Sequence, residues 1–250
     1  MITCIKRIDI RSKNETEGIR SNEVKIAKFL SSPTLVHNSN NHCVTVIDSF
    51  HDPVRPNEHY MVMPMLRAFD EPEFGAVGEV VDFVGQILEV GIILGASCSF
   101  YSISPGNGVY PQSSHCAWVY QLSLPKLIIN TLHIRDLTGP NIMMDARPIY
   151  PRGWHFADES LTPDGIDTVK PLARIDHRVR YIIIDYDNAI RFRPDESNLI
   201  SRAGGLDQSA PELATRKEQP YDAFKLDVFT LGNLIYTEFL QVCVHHTVMS

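Results

Sequence analysis

The chain has no C-x-x-C pair among its five cysteines, Cys4, Cys43, Cys98, Cys116 and Cys243, and no concentrated run of lysine and arginine. The first absence removes the usual spacing of a structural zinc site or a dithiol redox centre. Thiols that are odd in number and widely spaced suit a reducing compartment, so an intracellular protein, cytoplasmic or nuclear, is expected. The second absence, with a formal net charge of -7, argues against nucleic acid as a partner, because phosphates need a clustered basic face. A secretory leader is not expected, since the apolar residues after Met1 are soon broken by Lys6, Arg7 and Asp9. Long apolar runs are missing too. The most apolar stretch, residues 87–100, contains Glu89 and is too short to span a bilayer, so no membrane partner is expected.

What is present is ordinary apolar material, 44% of the 250 residues, which is enough for a sizeable core in one or two domains. Partial alternation predicts a strand over residues 2–10, followed by a polar stretch over 11–21. Val24, Ile26, Ala27 and Leu30 fall at helical spacing, which predicts a helix over 22–30 capped by Ser21 or Asn22 and stopped before Pro33. Strands are expected over 43–50 and 59–66, with a turn at Pro53 and Pro56 between them. A helix is expected over 77–88. Residues 90–132 are rich in Gly, Ser and apolar side chains, nearly uncharged and without a period, and read as an insertion that interrupts a helix. Residues 147–180 read as a surface excursion. A short buried strand over 181–184 ends in Asp185, and a buried helix is expected over 224–242.

Four short motifs carry chemistry. Arg135-Asp136-Leu137-Thr138-Gly139-Pro140-Asn141 places an Asp on a loop and an Asn five residues on. That spacing suits a proton acceptor beside a metal ligand in phosphoryl transfer. Tyr181-Ile182-Ile183-Ile184-Asp185-Tyr186-Asp187 is an apolar strand that delivers a carboxylate to a cleft edge, where it could join magnesium to phosphate oxygens. Ala210-Pro211-Glu212 and the segment from Asp227 to Gly232 follow. Each motif alone is weak.

Taken in order, R-D-L-x-x-x-N, D-Y-D, A-P-E and D-x-x-x-x-G resemble the catalytic domain of eukaryotic protein kinases, in the style of the kinase-like proteins of filamentous and mushroom-forming fungi. The resemblance implies an α+β, two-lobed protein-kinase-like fold. Its N-lobe would be partial over 1–66, with an incomplete sheet, and its helical C-lobe partial over 67–250. It implies Asp136 as the catalytic base, Asn141 and Asp185 as magnesium ligands, and Arg135 as a phosphate-pairing neighbour of the base. Lys6, in Ile2-Thr3-Cys4-Ile5-Lys6, becomes the anchor for the nucleotide phosphates, and Glu23 its ion-pair partner. Met63 stands at the back of the adenine pocket, with Pro64 and Leu66 at the adenine edge. ATP and Mg2+ are the implied cofactors, and a protein hydroxyl the acceptor, Ser or Thr before Tyr. Met61 and Met63 fit equally well as core filler.

The departures shape the expectation. No Gly-rich loop precedes Ile2. Ile134 stands at the usual His position, with His133 one residue early. Thr138 replaces the usual Lys, which removes a positive charge near the transferred phosphoryl group. Asp187 replaces Gly, and the late Arg that would pair with Glu212 has no counterpart before Ser250. Ser197, Ser201 and Ser209 are the available phosphate acceptors between Asp185 and Glu212. These features predict a kinase of impaired turnover. A pseudokinase or interaction module, and a truncated product without function of its own, stay open as alternatives.

Overall fold

In the computed structural model, residues 3–9, 17–93, 132–193, 196–201, 205–215 and 219–240 are described. The partial alternation near the N-terminus forms strand β1 (Thr3–Asp9), which turns Ile8 into the core and leaves Ile5 exposed. Helix α1 (Glu17–Leu30) follows, then a short helix α2 (Pro33–Val36) that Pro33 opens, as its fixed φ and missing N–H suit a first turn. Strands β2 (Asp48–His51) and β3 (Glu58–Pro64) complete an antiparallel sheet in the order β1-β3-β2, with Lys6 opposite Met61. Among the described residues, nothing pairs with the outer edge of β1.

Strand β4 (Arg67–Ala68) and helix α3 (Val77–Ile93) lead to strand β5 (Leu132–His133) and a 3-10 turn, Gly139–Asn141. Strands β6 (Ile142–Asp145) and β7 (Arg180–Ile183) form an antiparallel sheet with β4, in the order β4-β6-β7. Strand β8 (Ile190–Arg191) pairs with β5. Strand β9 (Leu199–Ile200), helix α4 (Pro211–Thr215), strand β10 (Tyr221–Asp222) and helix α5 (Ala223–Ile235) follow, and a π-helical turn continues to Leu240. The architecture is mixed α+β, with small antiparallel sheets and few helices. Asp222 caps α5, its carboxylate accepting the N–H of Phe224 at 3.0 Å and of Lys225 at 3.3 Å, worth about 1 kcal/mol.

Two apolar clusters organise the packing. The first joins Ile8, Ile26, Met61 and Met63 to Leu137 and Tyr186, so the β1-β3-β2 sheet and α1 rest on the loops that follow β5 and β7. The second centres on Phe83, fully buried, with ring centroids 4.9 Å from Phe69 and 4.8 Å from Tyr181. Leu231 and Leu234 of α5 close that cluster. Among the described residues, no helix is long and apolar enough to cross a membrane.

Several expectations are corrected. Helix α1 begins at Glu17, so Ser21 and Asn22 lie within it and not at its N-terminal boundary. Over residues 17–22 Ile19 is the one large apolar residue, too little for periodicity to mark the earlier start. The expected strand over 43–50 is two things. Asp48–His51 joins the first sheet, whereas Cys43 bridges Ile183 in parallel, with Val44 N donating to Ile183 O at 3.0 Å. Helix α3 runs to Ile93 and β5 begins at Leu132, so both ends of the expected insertion belong to regular elements. The rest of it, 94–131, lies outside the described residues. The helix expected over 224–242 is α5 followed by the π turn, and 241–242 lie outside the described residues.

The segment 147–179 is more than a surface excursion. Ile149, Tyr150, Trp154, Arg174 and Val179 in it are buried. The buried Arg67 lays its guanidinium 4.6 Å from the Tyr150 ring centroid and 5.4 Å from that of Trp154. Arg174 donates to Phe69 O at 2.9 Å and sits 4.4 Å over the Phe74 ring. Aromatic faces and carbonyls thus stand in for a regular element in fixing this segment.

Candidate functional site

Lys6 projects from β1 on the face that also buries Ile8. Its Nζ lies 2.6 Å from Glu23 Oε1 on α1 and 2.8 Å from Asp185 Oδ1, just past β7. Three sequence-predicted residues therefore meet. Burial alone would lower the Lys6 pKa, but Glu23 and Asp185 more than offset it and hold it above the ordinary lysine value. Burial pushes the Glu23 carboxyl up; Lys6 pulls it back only in part, while Asp185 and Asp187 add to the rise. The two partners respond unequally because Glu23, 2% exposed, is the more deeply buried and shares its cation with a second carboxylate.

The loop from His133 to Asn141 carries the sequence-predicted residues Arg135, Asp136 and Asn141. Asp227, at the start of α5 and buried, accepts the N–H of Ile134 at 3.1 Å and of Arg135 at 3.0 Å. His133 is fully buried, with Nδ1 2.7 Å from Asp227 Oδ2 but out of line for a hydrogen bond. These contacts hold Arg135 at a φ of 66°, in the left-handed region. Asp185 is held there too, at a φ of 63°. Two non-glycine residues in that region carry on the order of 1–3 kcal/mol of strain each, a cost that collects at functional sites.

Asn141 Nδ2 donates to Asp136 O at 3.0 Å, which leaves Asn141 Oδ1 as an acceptor. Ile142 pairs with Ile183, and the next step in register brings Ile184 N within 3.0 Å of Asn141 O. Asn141 thus stands beside the residue that precedes Asp185. Tyr186 is buried, and its hydroxyl donates to Ile183 O at 2.7 Å, anchoring the turn that presents Asp185.

Asp136 is 7% exposed, and its Oδ1 accepts the N–H of Leu206 at 2.8 Å. Gly205 makes this approach possible. Its φ is +87°, and a Cβ there would fall 2.1 Å from Arg135 O. Neither this contact nor the role of Asp227 was read from sequence. The available signals were the Gly204-Gly205 pair and the motif that Asp227 opens.

The remaining candidates stand elsewhere. Met63 is buried in the first core cluster. Pro64 and Leu66 border a cavity of about 680 Å³ that none of Lys6, Glu23, Asp136, Asn141 and Asp185 lines. Thr138 is half-buried, with its hydroxyl unbonded. Glu212 is half-buried, and no ion pair holds it among the described residues. Among those residues there is also no group of three or more His, Cys, Asp or Glu side chains able to hold a metal by itself. No protein-family model matches the chain, and no curated protein matches it.

Proposed function

We propose that this chain is a protein-kinase-like phosphotransferase that binds magnesium–ATP and passes a phosphoryl group to a protein hydroxyl, serine or threonine before tyrosine. On this reading, 1–66 and 67–250 correspond to the two lobes of that fold. The observation that carries it is the double ion pair of Lys6 with Glu23 and Asp185. A lysine held by a helix glutamate, next to a metal-binding aspartate, is the arrangement on which such transfer depends.

The residues fit a magnesium–nucleotide complex. Asp185 has a second carboxylate oxygen and a side chain 36% exposed, and Asn141 keeps its amide oxygen. Magnesium takes oxygen donors and commonly relies on one or two protein ligands plus phosphate oxygens, so a ready-made cage is not required. When bound, the ion and nucleotide supply the transferable group and neutralise charge on it. Lys6 binds the phosphates. Asp136 orients the acceptor hydroxyl and takes its proton as the oxygen attacks phosphorus and the bond to ADP breaks. Arg135, beside that base, is the residue that pairs with a phosphate on the segment before Glu212. A second reading, nucleotide binding without efficient turnover, is favoured by Thr138, which brings no cation to the transferred group.

The test is the thermal midpoint with and without magnesium–ATP. A ligand at about a hundredfold its Kd stabilises by about 2.7 kcal/mol, a shift of several degrees. The shift is expected in the wild type and not in Asp185→Ala. No shift at saturating nucleotide sinks both readings. A shift without label transfer from ATP to casein selects the second.

A further inference from the structure

We propose that the basic, aromatic-walled groove formed by residues 147–172 against residues 36–45 and 64–66 docks an acidic, apolar segment of a partner protein. Neither Lys6 nor Asp185 lines this surface, and the proposal does not depend on what that ion pair does.

Two contiguous cavities, about 680 and 220 Å³, share residues 150–153. The floor of the larger one is apolar and aromatic, with Val44, Leu66, Tyr150 and Trp154 all buried. Pro151 and Pro163 stiffen its exposed rim. Arg147, Arg152, Arg180 and Lys170 line the pair of cavities against one carboxylate, Asp145. This excess of positive charge stands in a chain whose net charge is -7, so it is a local feature of the groove.

The cations differ in what they have left to give. Arg147 is held by Asp145, with Nε donating to Oδ1 at 2.8 Å. Arg180 donates to the carbonyls of Ser39 at 2.9 Å and Asn41 at 2.7 Å, and Asp145, its cross-strand partner, offsets part of its charge while already paired to Arg147. Arg152 and Lys170 are exposed and no hydrogen bond or ion pair holds either among the described residues, although Arg152 lies near enough to Asp164 to help lower its pKa.

That distribution selects the ligand class. A compact metabolite is oriented by buried polar groups that converge on it. Here the buried surface is apolar and the charges stand at the rim. A peptide with an apolar side chain flanked by carboxylates matches both features. Its apolar residue would pack on the Tyr150 and Trp154 floor while its carboxylates meet Arg152, Arg180 and Lys170.

The experiment uses the full chain and a fluorescein-labelled octapeptide of alternating Asp and Leu, titrated by anisotropy at low salt. Saturable binding is expected, weakened about tenfold or more in the Arg152→Glu/Lys170→Glu double variant, because two rim attractions become repulsions. Both positions are exposed, and the thermal midpoint of the variant checks that it folds. The alternating Lys–Leu peptide is expected not to bind. Equal affinity in wild type and variant overturns the proposal, as does the absence of saturable binding up to about 1 mM peptide. Displacement by inorganic phosphate as effective as that by unlabelled peptide also overturns it, because the groove would then be a simple anion site. Magnesium–ATP binding is measured separately, so failure of the nucleotide reading leaves this test intact.

Discussion

Lys6 and Asp185, 179 positions apart, meet at 2.8 Å, and the same ammonium reaches Glu23 at 2.6 Å. The pair sets a pH signature. The folded-state pKa of Lys6 is raised above its ordinary value of 10.5. Its stabilisation is therefore complete below that value and is lost as pH rises through the folded-state value. In urea unfolding, the stability gap between wild type and Lys6→Met is expected to stay constant from neutral pH to the ordinary lysine value and to shrink above it. A gap that widens with alkali contradicts the pairing.

Asp227 fixes the turn that holds Arg135. In Asp227→Asn, one of the two backbone N–H groups faces an amide donor in place of a carboxylate oxygen. A loss of about 3 kcal/mol is expected, the scale of breaking a buried charged hydrogen-bond centre. Urea midpoints at unchanged m-value measure it. Stability within error of wild type would mean that the loop does not lean on α5.

Gly205→Ala tests the contact on Asp136. A Cβ cannot sit 2.1 Å from a carbonyl oxygen, so the segment must withdraw and release the Leu206 N–H bond. Magnesium–ATP binding is expected to persist, while kcat falls about a hundredfold, the effect of displacing a reacting group by about 1 Å. Equal losses in nucleotide KM and kcat would point to a general distortion instead.

Burial pushes the Cys43 thiol up to about 11, with Tyr186 and Arg180 offsetting only part of the rise, whereas Cys4 is exposed. Thiolate is the reactive form. Iodoacetamide at mildly alkaline pH should therefore modify Cys4 and spare Cys43 until the protein unfolds, as read by peptide mass. Early labelling of Cys43 would show that the Cys43–Ile183 bridge opens readily.

Lys6 and Glu23 were singled out only through the resemblance to kinase motifs, whereas Asp185 was marked by its own place at the end of an apolar run. Asn141 and Asp136 were legible through their spacing. Partner choice was harder to read. The apolar residues from Cys43 onward look like one strand, yet nothing in their alternation says that Cys43 bridges β7 while Asp48 joins β3. The early start of helix α1 was missed because Ile19 is the one large apolar residue in its first six. The order within 147–179 was invisible because it rests on Arg67 and Arg174 stacking over aromatic rings, contacts with no period along the chain. Gly205 was missed for a related reason, since its requirement arises from Arg135, far away in sequence.

The two N–H hydrogen bonds that Ile134 and Arg135 donate to Asp227 have a dynamic consequence. Those amides cannot exchange with solvent deuterium unless the first turns of α5 let go of the loop. Their protection against exchange therefore reports how firmly α5 holds the loop.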